Sequence, residues 1–147
     1  MTTTEKLEFK DWRVGCALLN AVDLCDNELE EEGGVILVSS RATPGDELFK
    51  FVKVQNHKAG TPEARGLYVA DPSSFGTEVF PLLSGGWNLY ASFHTHPTFS
   101  STPSDLDRRA LFVGFKYNYI YSPQRRAVSV SEWISKDKLD TKYYNLN

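Results

Sequence analysis

Val14, Leu18, Ala21, Cys25 and Leu29 recur at three- and four-residue steps, the spacing that lines one face of an α-helix. The stripe predicts a first helix over about residues 11–30, ended by Gly33 and Gly34. Residues 35–40 read as a short apolar strand, and Thr43-Pro44-Gly45-Asp46 as a turn. In residues 47–55, Leu48, Phe49, Phe51, Val52 and Val54 are interspersed with lysines, which predicts a hairpin partner for that strand. Residues 56–65 form a loop holding Gly60 and Pro62. A short strand is expected over residues 67–70, then a turn at Asp71 capping a short helix from about Phe75 to Leu83, its length limited by Pro81. Ser84-Gly85-Gly86 turns the chain into a strand over residues 87–96. The next helix is expected to begin near Thr102 or Ser104, with Pro103 in its first turn, and to cover Leu106, Ala110, Leu111 and Val113. Residues 116–121 and 127–133 form a second hairpin, and the chain from Ser135 reads as a polar, aromatic, partly mobile tail.

The 147 residues suggest one domain, long enough for a real core, and a 41% hydrophobic fraction with 13% aromatics reads as globular. A net charge of −3, with Arg108–Arg109 and Arg125–Arg126 only isolated pairs, leaves no clustered basic face for nucleic acid. No apolar run approaches the ~20 residues that span a bilayer. The first ten residues lack the apolar segment of a signal peptide, so a cytoplasmic location and no membrane partner are the expectation. Cys16 and Cys25 fall on roughly opposite faces of the predicted helix, too poorly placed for a disulfide, and both read as reduced.

The chemistry gathers between Phe93 and Asp107. His94 and His96 alternate with Phe93 and Thr95, so on a strand both imidazoles project to one side. Two imidazoles and a nearby carboxylate, Asp107, with a fourth position open to water, suit a catalytic zinc; a structural zinc would be closed, usually with cysteines. Each half has an ordinary explanation alone. A His-x-His pair can be a chance surface pair, and Ser104 with Asp107 fits a helix N-cap with an acidic N3 residue. Together they lie on a strand end and the first turn of the next helix, where α/β proteins commonly build sites. His57, in the 56–65 loop, reads as a surface residue that could line a substrate groove.

His94-x-His96-Pro97, then Ser104 and Asp107 at their spacings, resembles the signature of the JAMM (MPN-plus, JAB-type) zinc metalloproteases. The run Glu31-Glu32-Gly33-Gly34-Val35-Ile36-Leu37 resembles the family's upstream element, a glutamate three residues before a glycine that opens an apolar strand. The short chain and the Glu-x-Gly-Gly element are similar to the bacterial branch. Residues 108–115, between Asp107 and the next strand, leave no room for the long zinc-binding insertions of some chain-selective deubiquitinases.

The resemblance implies a single α/β domain over residues 1–147, its core about 11–134, with a mixed, curved sheet flanked by helices in the cytidine-deaminase-like manner. It implies one zinc per chain held by His94, His96 and Asp107, with Glu31 as the acid that moves protons and Ser104 donating to the oxyanion. Glu32 is the alternative to Glu31 if the register slips by one. The substrate it implies is the C-terminus of ubiquitin or a ubiquitin-like protein, in a conjugate or a precursor. Two other classes are open: a catalytically silent MPN-type interaction module, and a JAMM-like bacterial effector peptidase with another substrate. Barrel amidohydrolases and phosphoesterases that begin with His-x-His need about 250 residues and are excluded by length.

Overall fold

The computed structural model describes residues 4–6, 12–39, 43, 46–97 and 100–146 of the chain. Strand β1 (Thr4–Lys6) precedes helix α1 (Trp12–Leu24), and strands β2 (Gly33–Ser39) and β3 (Phe49–Val54) follow as an antiparallel hairpin. A 3-10 turn (Pro62–Arg65) leads to helices α2 (Pro72–Glu78) and α3 (Phe80–Ser84). Strand β4 (Trp87–Thr95), a π-helical turn (Asp107–Leu111) and strands β5 (Tyr117–Ser122), β6 (Ala127–Ser135) and β7 (Lys138–Asn145) complete the chain. The strands form one mixed sheet in the order β1-β7-β6-β5-β4-β2-β3. The β4–β5 and β1–β7 pairs are parallel, the others antiparallel.

Alternation along the strands divides the apolar residues between two faces. Ile36, Phe51 and Phe93 pack with Leu18 and Ala21 of α1 and with Cys25 just past its end. Val35, Leu37, Val52 and Val54 face the other way and pack with Val79, Phe75 and Leu82 from α2 and α3. A fully buried Val, Leu, Ile or Phe among them contributes about 1.5–3 kcal/mol of transfer free energy. Because β4 and β5 are parallel neighbours, the chain between them must cross over, and that crossover carries the π-helical turn. Among the described residues no helix is long and apolar enough to cross a membrane.

Several expected elements take a different form. Helix α1 ends at Leu24, and Leu29, the last residue of the proposed stripe, is 66% exposed. Asn27 supplies the local turn there, its side-chain oxygen accepting from the amides of Leu29 (2.8 Å) and Glu30 (3.0 Å). Gly33 and Gly34 therefore do not stop a helix; they open β2. A β-carbon on Gly33 would collide with the Phe93 carbonyl and crowd the His94 β-carbon, and one on Gly34 would collide with the Val52 carbonyl.

The expected strand over residues 67–70 is a single bridge between Asn56 and Ala70. Asp71 does cap a helix, its carboxylate accepting from the Ser74 amide at 2.9 Å, but two short helices stand where one was expected. The helix expected from Thr102 or Ser104 begins at Asp105, with Pro103 ahead of it, and is π-helical from Asp107 to Leu111, stopping short of Val113; Leu106 and Val113 are exposed. The expected polar tail is strand β7, with β1 paired beyond it. Asp11, Ser40, Pro44 and Gly45, named in the expected elements, lie outside the described residues, as do residues 1–3 and 7–10. The Thr43–Asp46 turn still shows in the Asp46 amide donating to the Thr43 carbonyl at 2.9 Å. Both cysteines are free, Cys16 exposed and Cys25 buried.

Candidate metal centre

The strand pairing of β2 with β4 assembles this centre. Gly33 stands opposite His94, which brings the residues just before β2 alongside the histidine end of β4. The contact continues past the strand: the Thr95 amide donates to the Glu32 carbonyl (2.9 Å), and the Glu32 amide donates to the Thr95 hydroxyl (3.0 Å). On the other side, the His96 amide donates to the Tyr121 carbonyl of β5 at 2.9 Å. The histidines are thus held by backbone bonds on both flanks. Glu31, His94, His96 and Asp107 are respectively 2%, 1%, 1% and 4% exposed.

Three consecutive glutamates meet three different fates. The Glu30 carboxylate accepts from the Gly60 amide at 3.1 Å. Glu32 forms an ion pair with Lys53. Glu31 alone turns inward, with a carboxylate oxygen and ring nitrogens of His94 and His96 all within 4.8 Å of one another. Among the described residues, this buried Glu/His/His group could bind a metal ion.

Asp107 closes the cluster from the crossover. His94 Nε2 lies 3.0 Å from Asp107 Oδ1, His96 Nε2 lies 3.1 Å from Asp107 Oδ2, and the two Nε2 atoms are 3.1 Å apart. These separations resemble the edges of a tetrahedral zinc site, where Zn–N bonds of 2.0–2.1 Å give ~3.3 Å between donors. The tautomer of His96 also fits a metal. Its Nδ1 lies 2.9 Å from the Ser100 carbonyl, which can only accept, so Nδ1 carries a proton, and a metal at the cluster would displace any proton on Nε2 and take that lone pair. The His94 ring lies nearly parallel to the Tyr68 ring, at 14° with centroids 6.2 Å apart, and meets Phe112 edge-on.

The electrostatics follow from burial and close carboxylates. Burial, and then the charge of Asp107, push the Glu31 carboxyl up to about 8. Burial lowers the His94 pKa by penalising its cation, against the pull of Asp107. Burial also works to raise Asp107, yet its bonds with His94 and His96 and the Ser104 amide hold it well below the usual carboxylate range. A bound cation at this spot would favour the ionised form of both carboxylates.

Ser104 joins the cluster through Asp107. The Asp107 amide donates to Ser104 Oγ (3.1 Å), which leaves the hydroxyl hydrogen free to donate elsewhere. His57 is exposed and pairs with Asp71, Nδ1 to Oδ1 at 2.8 Å, rather than with the buried group. Sequence reasoning passed over Asn56, which is buried beside Glu31, and Tyr68, which flanks His94. An asparagine at a strand end reads as an ordinary turn residue, so no pattern singled it out.

Comparison with known proteins places this geometry in a family. The family described as prokaryotic homologs of the JAB domain matches residues 18–135, which spans β2, the histidine strand and the crossover. The chain is a prokaryotic JAB-domain protein. The JAB-domain fold recurs in the solution structure of protein DSY2949 from Desulfitobacterium hafniense, which is 24% identical to this chain. That match covers 100% of this chain and 93% of the other at a TM-score of 0.58. None of the curated proteins matches the sequence. The JAB family includes metalloproteases, and in this JAB-domain chain the buried glutamate and histidines are compatible with a metal.

Proposed function

We propose that this JAB-domain protein is a zinc-dependent peptidase or isopeptidase that cleaves at the C-terminus of ubiquitin or a ubiquitin-like protein. The observation that carries the reading is the convergence of Glu31 on the histidine pair, from a part of the chain 63 positions away. Sequence proximity explains why His94, His96 and Asp107 are near one another; it does not explain a buried, inward-facing glutamate beside them.

In this reading His94, His96 and Asp107 hold one zinc ion, and Glu31 stays outside the ligand set. When bound, the ion would supply Lewis acidity, for acidifying water and polarising a carbonyl. Glu31 takes a proton from the attacking water onto a carboxylate oxygen and passes it to the departing amine nitrogen. Burial raises the pKa of this carboxyl, and a bound cation would lower it again, leaving the carboxylate ionised to accept that proton. Ser104, with its hydroxyl hydrogen uncommitted, donates to the oxygen on which negative charge develops. The walls that bury the cluster keep bulk water from competing for these bonds.

The substrate class rests on the resemblance of the His-x-His…Ser…Asp pattern to the JAMM enzymes, and the proposed location is the cytoplasm. The test uses purified protein of measured zinc content, with ubiquitin and ubiquitin-like proteins carrying a C-terminal fluorogenic amide or an isopeptide-linked lysine. Cleavage that stops on chelation and returns with zinc is the expected result. Zinc-loaded protein inert on every such substrate removes the substrate assignment. Protein that binds no zinc removes the enzyme reading altogether.

A further inference from the structure

The 56–66 loop fastens the chain at Glu31, and Asn56 is the centre of that fastening. Asn56 is 5% exposed, and its side-chain amide makes four hydrogen bonds. Its nitrogen donates to the Glu31 carbonyl (2.8 Å) and the Leu67 carbonyl (2.9 Å). Its oxygen accepts from the amides of Lys58 (3.0 Å) and Val69 (3.1 Å). Two donors and two acceptor positions are the whole capacity of a carboxamide, so the group is fully committed. The same loop holds Glu31 from its other side, the Glu31 amide donating to the Ala64 carbonyl at 2.6 Å. It takes Glu30 as well, through the Gly60 amide.

These bonds decide which glutamate faces the histidines. Residues 31 and 32 carry no helical or sheet ladder of their own, and three consecutive glutamates would let a slip of one residue exchange the inward carboxylate. Both backbone groups of Glu31 are tied to the loop, while both backbone groups of Glu32 are tied to Thr95. We propose that Asn56 is a positioning residue that sets the register of residues 30–32 and so aims the Glu31 carboxylate at the histidine pair. The kinetic part of this inference rests on Glu31 as the proton carrier; the positional part does not.

Asn56→Asp keeps both acceptor positions, for Lys58 and Val69, and loses both donors, so it releases the Glu31 carbonyl while leaving the turn end satisfied. Asn56→Ala also removes both donors, without adding charge, and removes the acceptor with them. Thr61→Ala is the control, since Thr61 Oγ1 donates to the Lys58 carbonyl in the same loop (2.6 Å) and does not touch Glu31. Each variant is measured for zinc content, for amide hydrogen exchange at Glu31 and for kcat and KM. In both Asn56 variants the Glu31 amide exchanges at least ~10-fold faster, as local opening of the loop requires. Zinc stays at the native level, because Asn56 contacts no member of the histidine–aspartate cluster. The value of kcat falls about 10²-fold with KM within about twofold, the scale expected of a reacting group displaced by ~1 Å. Thr61→Ala behaves as the native protein.

Native exchange at Glu31 in a folded Asn56 variant overturns the proposal, and so does loss of zinc in step with loss of rate. If the native protein cleaves nothing, the catalytic reading fails by itself, and the exchange measurement still decides whether Asn56 sets this register. Where one Asn56 variant does not fold, the other carries the test.

Discussion

Ser104 and Asp107 hold each other: the Ser104 amide donates to Asp107 Oδ2 at 2.9 Å, and the Asp107 amide donates to Ser104 Oγ at 3.1 Å. This reciprocal pair has the form of a capping box. It also fixes the carboxylate against both histidines, so one local device stops the backbone and orients a donor to the cluster. Ser104→Ala therefore combines two losses. The missing cap costs ~1 kcal/mol, read as a lowered melting temperature. The missing hydroxyl donor lowers the hydrolysis rate by ~10²–10³-fold. A variant that melts early yet turns over normally assigns Ser104 to capping alone.

The zinc should depend on the histidines and aspartate jointly. His96→Ala and Asp107→Asn are expected to lose most bound zinc by elemental analysis and to lose hydrolysis with it. Chelation of the native protein abolishes turnover, and added zinc restores it. A His96→Ala protein with a full equivalent of zinc and normal rates contradicts the ligand assignment.

The three glutamates separate by charge removal at constant size. Glu31→Gln keeps zinc and substrate binding but loses ~10²–10⁴-fold in rate, the range for a missing general base. Glu32→Gln breaks an ion pair with Lys53 whose lysine is well exposed, worth ~0–1 kcal/mol, and leaves the rate unchanged. Glu30→Gln does the same through a weakened contact to Gly60. Steady-state kinetics on zinc-matched samples decides the assignment; a dead Glu32→Gln with an active Glu31→Gln moves the base by one residue.

Gly33→Ala is expected to destabilise the fold, because the new methyl meets the Phe93 carbonyl and the His94 β-carbon rather than space. Overpacking of this kind costs ~1–3 kcal/mol. Denaturant unfolding measures it, and zinc binding should weaken in parallel, since the strand pair opposite His94 must separate.

The cysteines give a pH prediction. Burial, then a smaller opposing effect from Lys53, leaves the Cys25 thiol pushed up to about 12 from 9.0. The folded state thus keeps that proton when the unfolded chain loses it. Any contribution to stability is complete below pH 9 and declines as pH climbs towards 12. At pH 8 the folded protein should be alkylated at exposed Cys16, with Cys25 modified only after unfolding. Mass spectrometry of the labelled peptides checks this, and labelling of Cys25 in the folded protein at pH 8 refutes it.

The parts of the molecule readable from sequence are those with a short-range cause. His94, His96, Ser104 and Asp107 lie on a strand end and the turn that follows, so spacing alone brings them near one another. Cys25 was readable as core because the last turn of α1, closed by its amide on the Ala21 carbonyl, still sets its face. Leu29 continues the same spacing but lies beyond the helix, so a stripe could not reveal where Asn27 would turn the chain. Gly33 and Gly34 resembled a helix stop, whereas close approach to Phe93 and Val52 requires them, and those partners are distant in sequence. Strand β7 escaped because its residues are half exposed, so its alternation carries little hydrophobic contrast. Glu31 was legible only as an offset from a glycine; the loop bonds that make it unique among three neighbours involve Asn56 and Ala64.

The unequal reach of these contacts bears on the order in which the molecule takes shape. His94, His96 and Asp107 lie within a short segment, and closing that loop costs little chain entropy. Glu31 joins them only after β2 docks on β4, across 63 positions, and non-local pairing of this kind is the slow part of building a sheet. A folding chain therefore assembles its histidine–aspartate corner while Glu31 is still elsewhere, and the glutamate's carboxylate arrives last, with the docking of β2.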